Sequence, residues 1–180
     1  YASSHTYSNE LIPLWNTAVR LSFFLLTTYL LTELKVRLKN EKNMAKTDGL
    51  TGIANARAFK ELSGSFIELA ARHQRAAVLG YIDVDNFKAV NDSLGNSEGD
   101  RVLQAVANTL TACVRTTDVV GRLGGDEFAI FLPETDYAGA QVRFGRIHED
   151  LTRTAAAGGW PIGFSIGVAV FTTVPGTIDE

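Results

Sequence analysis

From residue 55 onward the apolar positions switch repeatedly between two periods, and each switch marks an element. Phe59, Leu62, Phe66 and Leu69 recur at three- and four-residue intervals, which predicts a helix over 55–73 with these side chains on one face. The nearly unbroken apolar run AAVLGYIDVD (76–85) predicts a buried strand. Phe87, Val90, Asn91 and Leu94 predict a short helix, and Val102, Leu103, Val106 and Leu110 a longer one over 97–114. DVVGRL (118–123) and EFAIFL (127–132) predict two short strands joined across Gly124-Gly125, a hairpin signal. A helix over 137–155 and a strand IGFSIGVAVF (162–171) follow. The order α-β-α-α-β-β-α-β predicts an α+β fold, a sheet covered by helices close to the split βαβ plan.

The first 46 residues follow another rule. LSFFLLTTYLL (21–31) is apolar apart from its hydroxyls, and Lys35, Arg37, Lys39, Lys42 and Lys46 come straight after it. A spanning helix needs ~20 apolar residues. Leu14, Trp15, Ala18 and Val19 extend the run to about that length, although Arg20 interrupts it. Read this way, the basic cluster marks the cytoplasmic side of a membrane. The other reading is a buried or coiled-coil helix, because Leu31, Leu34 and Leu38 also keep helical spacing. Both make 32–46 a helical connector, which KTDGLTG (46–52) ends with turns at Gly49 and Gly52.

Composition narrows the field. The chain has 180 residues, 46% of them hydrophobic, enough for one globular domain plus an appendage. Residues 1–46 hold six Lys/Arg against three Glu, while the whole chain carries a net charge of −3. The acidic excess therefore lies in the domain, and no basic field points to a nucleic acid polymer. Cys113 is the only cysteine, so no internal disulfide forms and a reducing compartment fits. His5, His73 and His148 are scattered and offer no zinc-ligand pattern. The chain starts at Tyr1 and stops soon after VPG, and is expected to be a piece of a longer protein.

Two acidic places suggest chemistry. In GRLGGDEFAI (121–130) the glycines permit a tight turn and close approach of a ligand to the backbone, and Asp126 and Glu127 follow at once. Acids at a hairpin tip can also be mere solvated turn residues. In YIDVDNFKAVND, Asp83 and Asp85 share one face at the end of an apolar strand. Asp85 stands where an N-cap would serve the next helix. Asp83 has no such task, and with few basic residues near it a divalent cation is the natural partner. If the hairpin lies beside this strand, Asp83, Asp126 and Glu127 form a carboxylate cluster suited to Mg²⁺ or Mn²⁺ on substrate phosphates. Lys88 is placed to neutralise phosphate charge, and Asn91 with Asp100 could pair with guanine.

RLGGDEFAIFLP, DVDNFKAVNDSLGNSEGD, TDGLTGIANARAF and FSIGVAVF together resemble the four signature stretches of the GGDEF family, the diguanylate cyclases. Their order and spacing agree from about Thr47 to Phe171. The resemblance implies a mostly antiparallel central sheet flanked by helices, palm-like or nucleotide-cyclase-like, behind a long N-terminal helix. It divides the chain into 1–46, the last transmembrane helix plus connector, and 47–180, a catalytic domain incomplete at its C-terminus because the family's last helix has no counterpart before Glu180.

The activity implied is condensation of two GTP into cyclic di-GMP and pyrophosphate by a head-to-tail homodimer with two-metal assistance. Residue by residue, Asp83, the Val84 carbonyl, Asp126 and Glu127 would bind Mg²⁺ or Mn²⁺, and Asp126 would also help deprotonate the 3′-OH. Lys88 would stabilise phosphate charge, and Gly124 and Gly125 would let GTP lie against the hairpin. Asn91 and Asp100 would read guanine; Asn96 stands where the family often has His, in a position to contact the nucleotide. RTTD (115–118) matches the family's RxxD, implying that Arg115 and Asp118 bind cyclic di-GMP as a feedback inhibitor, with Arg146 as a secondary contact. A bacterial inner-membrane location with a cytoplasmic catalytic domain goes with this. Gly49 and Ala56 replace a common Pro and Arg. A non-catalytic module that binds GTP or cyclic di-GMP is the alternative, and a cyclase or polymerase with another substrate is a third.

Overall fold

The computed structural model describes residues 11–44 and 46–171. The chain divides into two units, Tyr1–Ala45 and Lys46–Glu180.

In the first unit, α1 (Leu11–Met44) is one continuous helix of 34 residues. The hydroxyls of Thr17, Ser22, Thr27, Thr28 and Thr32 each donate to the carbonyl four residues back, which satisfies them without water. Large apolar side chains including Trp15, Phe23, Phe24 and Leu30 lie exposed. Among the described residues no helix is long and apolar enough to cross a membrane. The span expected over 14–31 is therefore not found: Arg20 and the hydroxyl residues dilute the apolar run too far.

The second unit is a five-stranded sheet in the order β1-β3-β4-β2-β5. Its strands are β1 (Ala54–Asn55), β2 (Ala77–Asp85), β3 (Val119–Gly124), β4 (Glu127–Pro133) and β5 (Gly163–Phe171). Only β1 pairs in parallel, with β3; the other three pairings are antiparallel. The helices are α2 (Ala56–His73), α3 (Phe87–Leu94), α4 (Asn96–Cys113) and α5 (Tyr137–Gly158). The predicted fold class stands, with every predicted element within a few residues of its place. Only β1, two residues long, was not foreseen.

Alternation along the central strands sorts the core. Val78, Ile82 and Val84 of β2 join Phe128, Ile130 and Leu132 of β4 in one cluster with Val102, Val106 and Leu110 of α4 and Phe144, Ile147 and Leu151 of α5. On the opposite face, Ala77, Ala129 and Phe131 pack with Phe59, Ile67 and Ala70 of α2. Leu62 and Leu69, expected on that buried face, are exposed. The stripe runs through Ser63 instead, which is fully buried with no hydrogen-bond partner for its hydroxyl; a serine in a core stripe hides it from an apolar pattern. Two glycines set the spacing of the layers. A Cβ at Gly80 would come within 2.3 Å of the Phe144 ring, and one at Gly121 within 2.8 Å of Phe59.

A candidate nucleotide and metal site at one end of the sheet

Antiparallel pairing of β2 with β4 sets Asp83 directly opposite Glu127, the predicted neighbourhood. The hairpin itself differs from expectation. Gly124 still pairs, opposite Glu127, so the turn residues are Gly125 and Asp126. Only Gly125 of the two glycines takes the left-handed region, at φ 47°, where a Cβ is strained. Asp126 thus sits at the tip, and its carbonyl accepts from the Val84 amide at 3.3 Å, which ties the tip to the strand carrying Asp83.

The electrostatics follow from this placement. Burial pushes the Asp83 carboxyl up from its ordinary value, and the charges of Asp126, Asp85 and Glu127 push it further. Among the described residues none of these four carboxylates has an ion-pair partner. Repulsion of this kind stands ready to be relieved by a cation. Tyr81, two residues before Asp83 on the same face of β2, has its phenol pushed up from the ordinary value by burial, by a hydrogen bond to Glu127 and by the nearby carboxylates. Sequence reasoning missed Tyr81, although its two-residue offset from Asp83 was the available signal.

Asp85 is not the N-cap of α3. Asn86 holds that position in a left-handed conformation and makes no side-chain cap bond. Asp85 instead accepts from the Ser165 hydroxyl at 2.8 Å, a partner supplied by β5 from 80 residues away in sequence. Lys88 is exposed in the first turn of α3. Asn91 is half-buried on α3 and touches α4 at Gly99, where a Cβ would lie 1.9 Å from the Asn91 Oδ1. Asp100, the next residue, and Asn96, the first of α4, are both exposed. The structure therefore brings Asn91 beside the turn of α4 that bears Asp100.

RTTD lies at the other end of β3. The Asp118 side chain is 2% exposed, and its carboxylate accepts from the Arg115 amide at 2.8 Å and from Arg143 at 2.7 Å. Its charge is spent on folding the corner. Arg115 lines a cavity of about 470 Å³ together with Arg75, Arg143, Glu134 and Asp136. Arg146 instead pairs with Asp150 at 3.7 Å, and the cavity's further arginines are Arg75 and Arg143. The buried Asp118 needed a cation from somewhere, but only the fold reveals that α5 supplies it. Cys113 takes no part: burial and a hydrogen bond to Asp150 push its thiol up to about 11.

The family description "Diguanylate cyclase, GGDEF domain" matches residues 45–179. The chain belongs to the GGDEF family. Diguanylate cyclase DgcM of Escherichia coli (strain K12) is 36% identical over 141 residues, 77% of this chain and 34% of that protein. Cyclic di-GMP phosphodiesterase NbdA of Pseudomonas aeruginosa is 31% identical over 132 residues, 72% of this chain and 17% of that protein. This chain thus spans about a third or less of the curated relatives named here. Among solved structures, the GGDEF domain of DgcB from Caulobacter crescentus in complex with c-di-GMP aligns with a TM-score of 0.65 at 25% identity, covering 71% of this chain and 76% of that one.

The donor set of this GGDEF turn fits a hard divalent cation. Asp83, Asp126 and Glu127 offer carboxylate oxygens with no ion-pair partner among the described residues. Among the described residues no three such side chains already converge as a complete ligand group. Mg²⁺ does not need one, since it is usually held by one or two carboxylates with substrate phosphates and waters.

Proposed function

We propose that the domain is a diguanylate cyclase that condenses two GTP into cyclic di-GMP and two pyrophosphates. The observation that carries this is the set of carboxylates with no ion-pair partner among the described residues, Asp83, Asp126 and Glu127, where the GGDEF turn meets the end of β2. Diguanylate cyclases of this family use a divalent metal; Mg²⁺ or Mn²⁺, bound by Asp83, the Val84 carbonyl, Asp126 and Glu127, would supply charge stabilisation at the phosphates. Asp126, at the tip, takes the proton from the 3′-OH as that oxygen attacks the α-phosphate of the other GTP and pyrophosphate leaves. Lys88 neutralises phosphate charge. Gly124 and Gly125 let the nucleotide lie against the backbone, while Asn91 and Asp100 read guanine and Asn96 touches the nucleotide. Each GTP is held by one of two subunits, so the working unit is a homodimer.

Arg115 and its corner form the feedback site for cyclic di-GMP, with the guanidinium donating to phosphate and guanine. Asp118 acts there by shaping the turn rather than by touching the ligand, since its carboxylate is already occupied. The pairing implied by the resemblance falls to α1, whose apolar side chains lie exposed. Crosslinking tests the pairing, and fractionation of a bacterial inner membrane tests whether this helix, not apolar enough to span, associates with a membrane.

A second reading, a non-catalytic receptor for cyclic di-GMP, is favoured by the cavity lined by Arg75, Arg115 and Arg143. The full-length protein incubated with GTP and Mg²⁺, followed by chromatography, separates the two. Cyclic di-GMP that vanishes with a chelator supports the cyclase; tight cyclic di-GMP binding with no product supports the receptor.

A further inference from the structure

An arginine head carries five N–H donors and no acceptor, so burying one demands several oxygens. Arg122, on β3 three residues before the turn glycine Gly125, has a side chain only 14% exposed. Its Nε and Nη2 both donate to the Gly125 carbonyl, at 3.0 and 2.7 Å, and its Nη1 donates to Asp48 at 3.0 Å. A bulge between Arg122 and Gly124 breaks the ladder register there, and a bulge re-aims the side chains beside it.

Both ends of this bridge are rigid. Asp48 also accepts from the Thr51 amide and hydroxyl, at 2.9 and 2.6 Å. Its own amide and carbonyl bond Ile53 and Gly52, so the turn at 48–52 is closed on itself. At the other end, the Gly125 carbonyl belongs to the peptide unit preceding Asp126. The unit following Asp126 is held by the Val84 amide. Asp126 is therefore clamped on both sides, by Arg122 before it and by β2 after it, and its Cα–Cβ direction is fixed as a result. Because Asp48 balances the guanidinium, Arg122 provides this grip without neutralising the carboxylates.

We propose that Arg122 is a positioning residue for the catalytic turn: its fork sets the peptide from which Asp126 projects and joins that turn to the loop at 48–52. The catalytic consequence rests on the cyclase reading above; the mechanical part does not. A lysine offers a single point of charge and cannot span both oxygens as the planar fork does.

The test uses the full-length protein with Arg122→Lys and, as a milder break at the far end, Asp48→Asn. Amide hydrogen exchange across 123–127 reads the clamp directly, and kcat and KM for GTP read its effect. Both variants should exchange faster in that segment and lose kcat about 10- to 100-fold, as when a group orienting a ligand is removed. KM for GTP and cyclic di-GMP affinity should stay near wild type. Unchanged exchange in both variants overturns the clamp. Faster exchange with wild-type kcat overturns its catalytic role. A wild-type protein that makes no cyclic di-GMP defeats the cyclase reading instead, while the exchange result still judges Arg122.

Discussion

The two ends of one sheet use the same residue types to opposite effect. At the C-terminal end of β2, Asp83 lies opposite Glu127 and near the turn residue Asp126, none of them with an ion-pair partner among the described residues, and the nearby arginine, Arg122, is balanced by Asp48. At the start of β3, some 20 Å away by strand rise alone, the Asp118 side chain is buried and accepts from Arg143 and the Arg115 amide, and Arg115 and Arg143 line a cavity. One end leaves its carboxylates without ion-pair partners among the described residues; at the other, Asp118 is paired with Arg143 and Glu134 with Arg75, and Arg115 lines the cavity beside them. The difference lies in which partner each carboxylate has, since both ends contain Asp and Arg.

The largest effect should come from breaking the acidic end. Asp126→Ala should lower kcat by about 10²–10⁴-fold, the span expected for a lost proton acceptor, with an unchanged circular dichroism spectrum. Next comes the opposite end, where Asp118→Ala leaves Arg143 and the Arg115 amide without their acceptor. Chemical denaturation should show a loss of ~2–3 kcal/mol, a cost that Asp126→Ala should not carry. Smaller is Gly99→Ala, whose methyl would strike Asn91 at 1.9 Å. Its KM for GTP should rise by roughly ten-fold, about 1.4 kcal/mol of binding, with little change in kcat.

The smallest effect is one of sign. The folded Asp83 carboxyl is raised above its ordinary 3.8, so its ionised form costs stability above the folded pKa, and that cost disappears as pH falls towards 3.8. Asp83→Asn should therefore raise Tm slightly in metal-free neutral buffer. A lower Tm would mean that the carboxylate is not strained.

Patterns of sufficient length were legible in the sequence. β2, β4, α4 and α5 each present several apolar residues in period, and their boundaries fall close to prediction. β1 was invisible because two residues cannot display a period. The α2 face was misjudged at Leu62 and Leu69 because Ser63 occupies the core stripe. The neighbourhood of candidate residues at a strand end and a turn, such as Asp83 and Asp126, could be expected locally. Partners that reach across the fold could not: Ser165 for Asp85, Arg143 for Asp118 and Arg122 for the Gly125 carbonyl depend on register and packing. The turn itself moved by one residue, because Gly124 keeps its pairing and Asp126 takes the tip.

The most direct test of two separately wired ends is to measure turnover of GTP and calorimetric binding of cyclic di-GMP on the same preparations of wild type, Asp126→Ala and Arg115→Ala. Asp126→Ala should bind cyclic di-GMP as wild type does yet make none. Arg115→Ala should keep the initial rate and lose binding by tenfold or more, as expected when a charged hydrogen-bond donor is removed. Loss of cyclic di-GMP binding in Asp126→Ala, or loss of initial rate in Arg115→Ala, would contradict the division of labour.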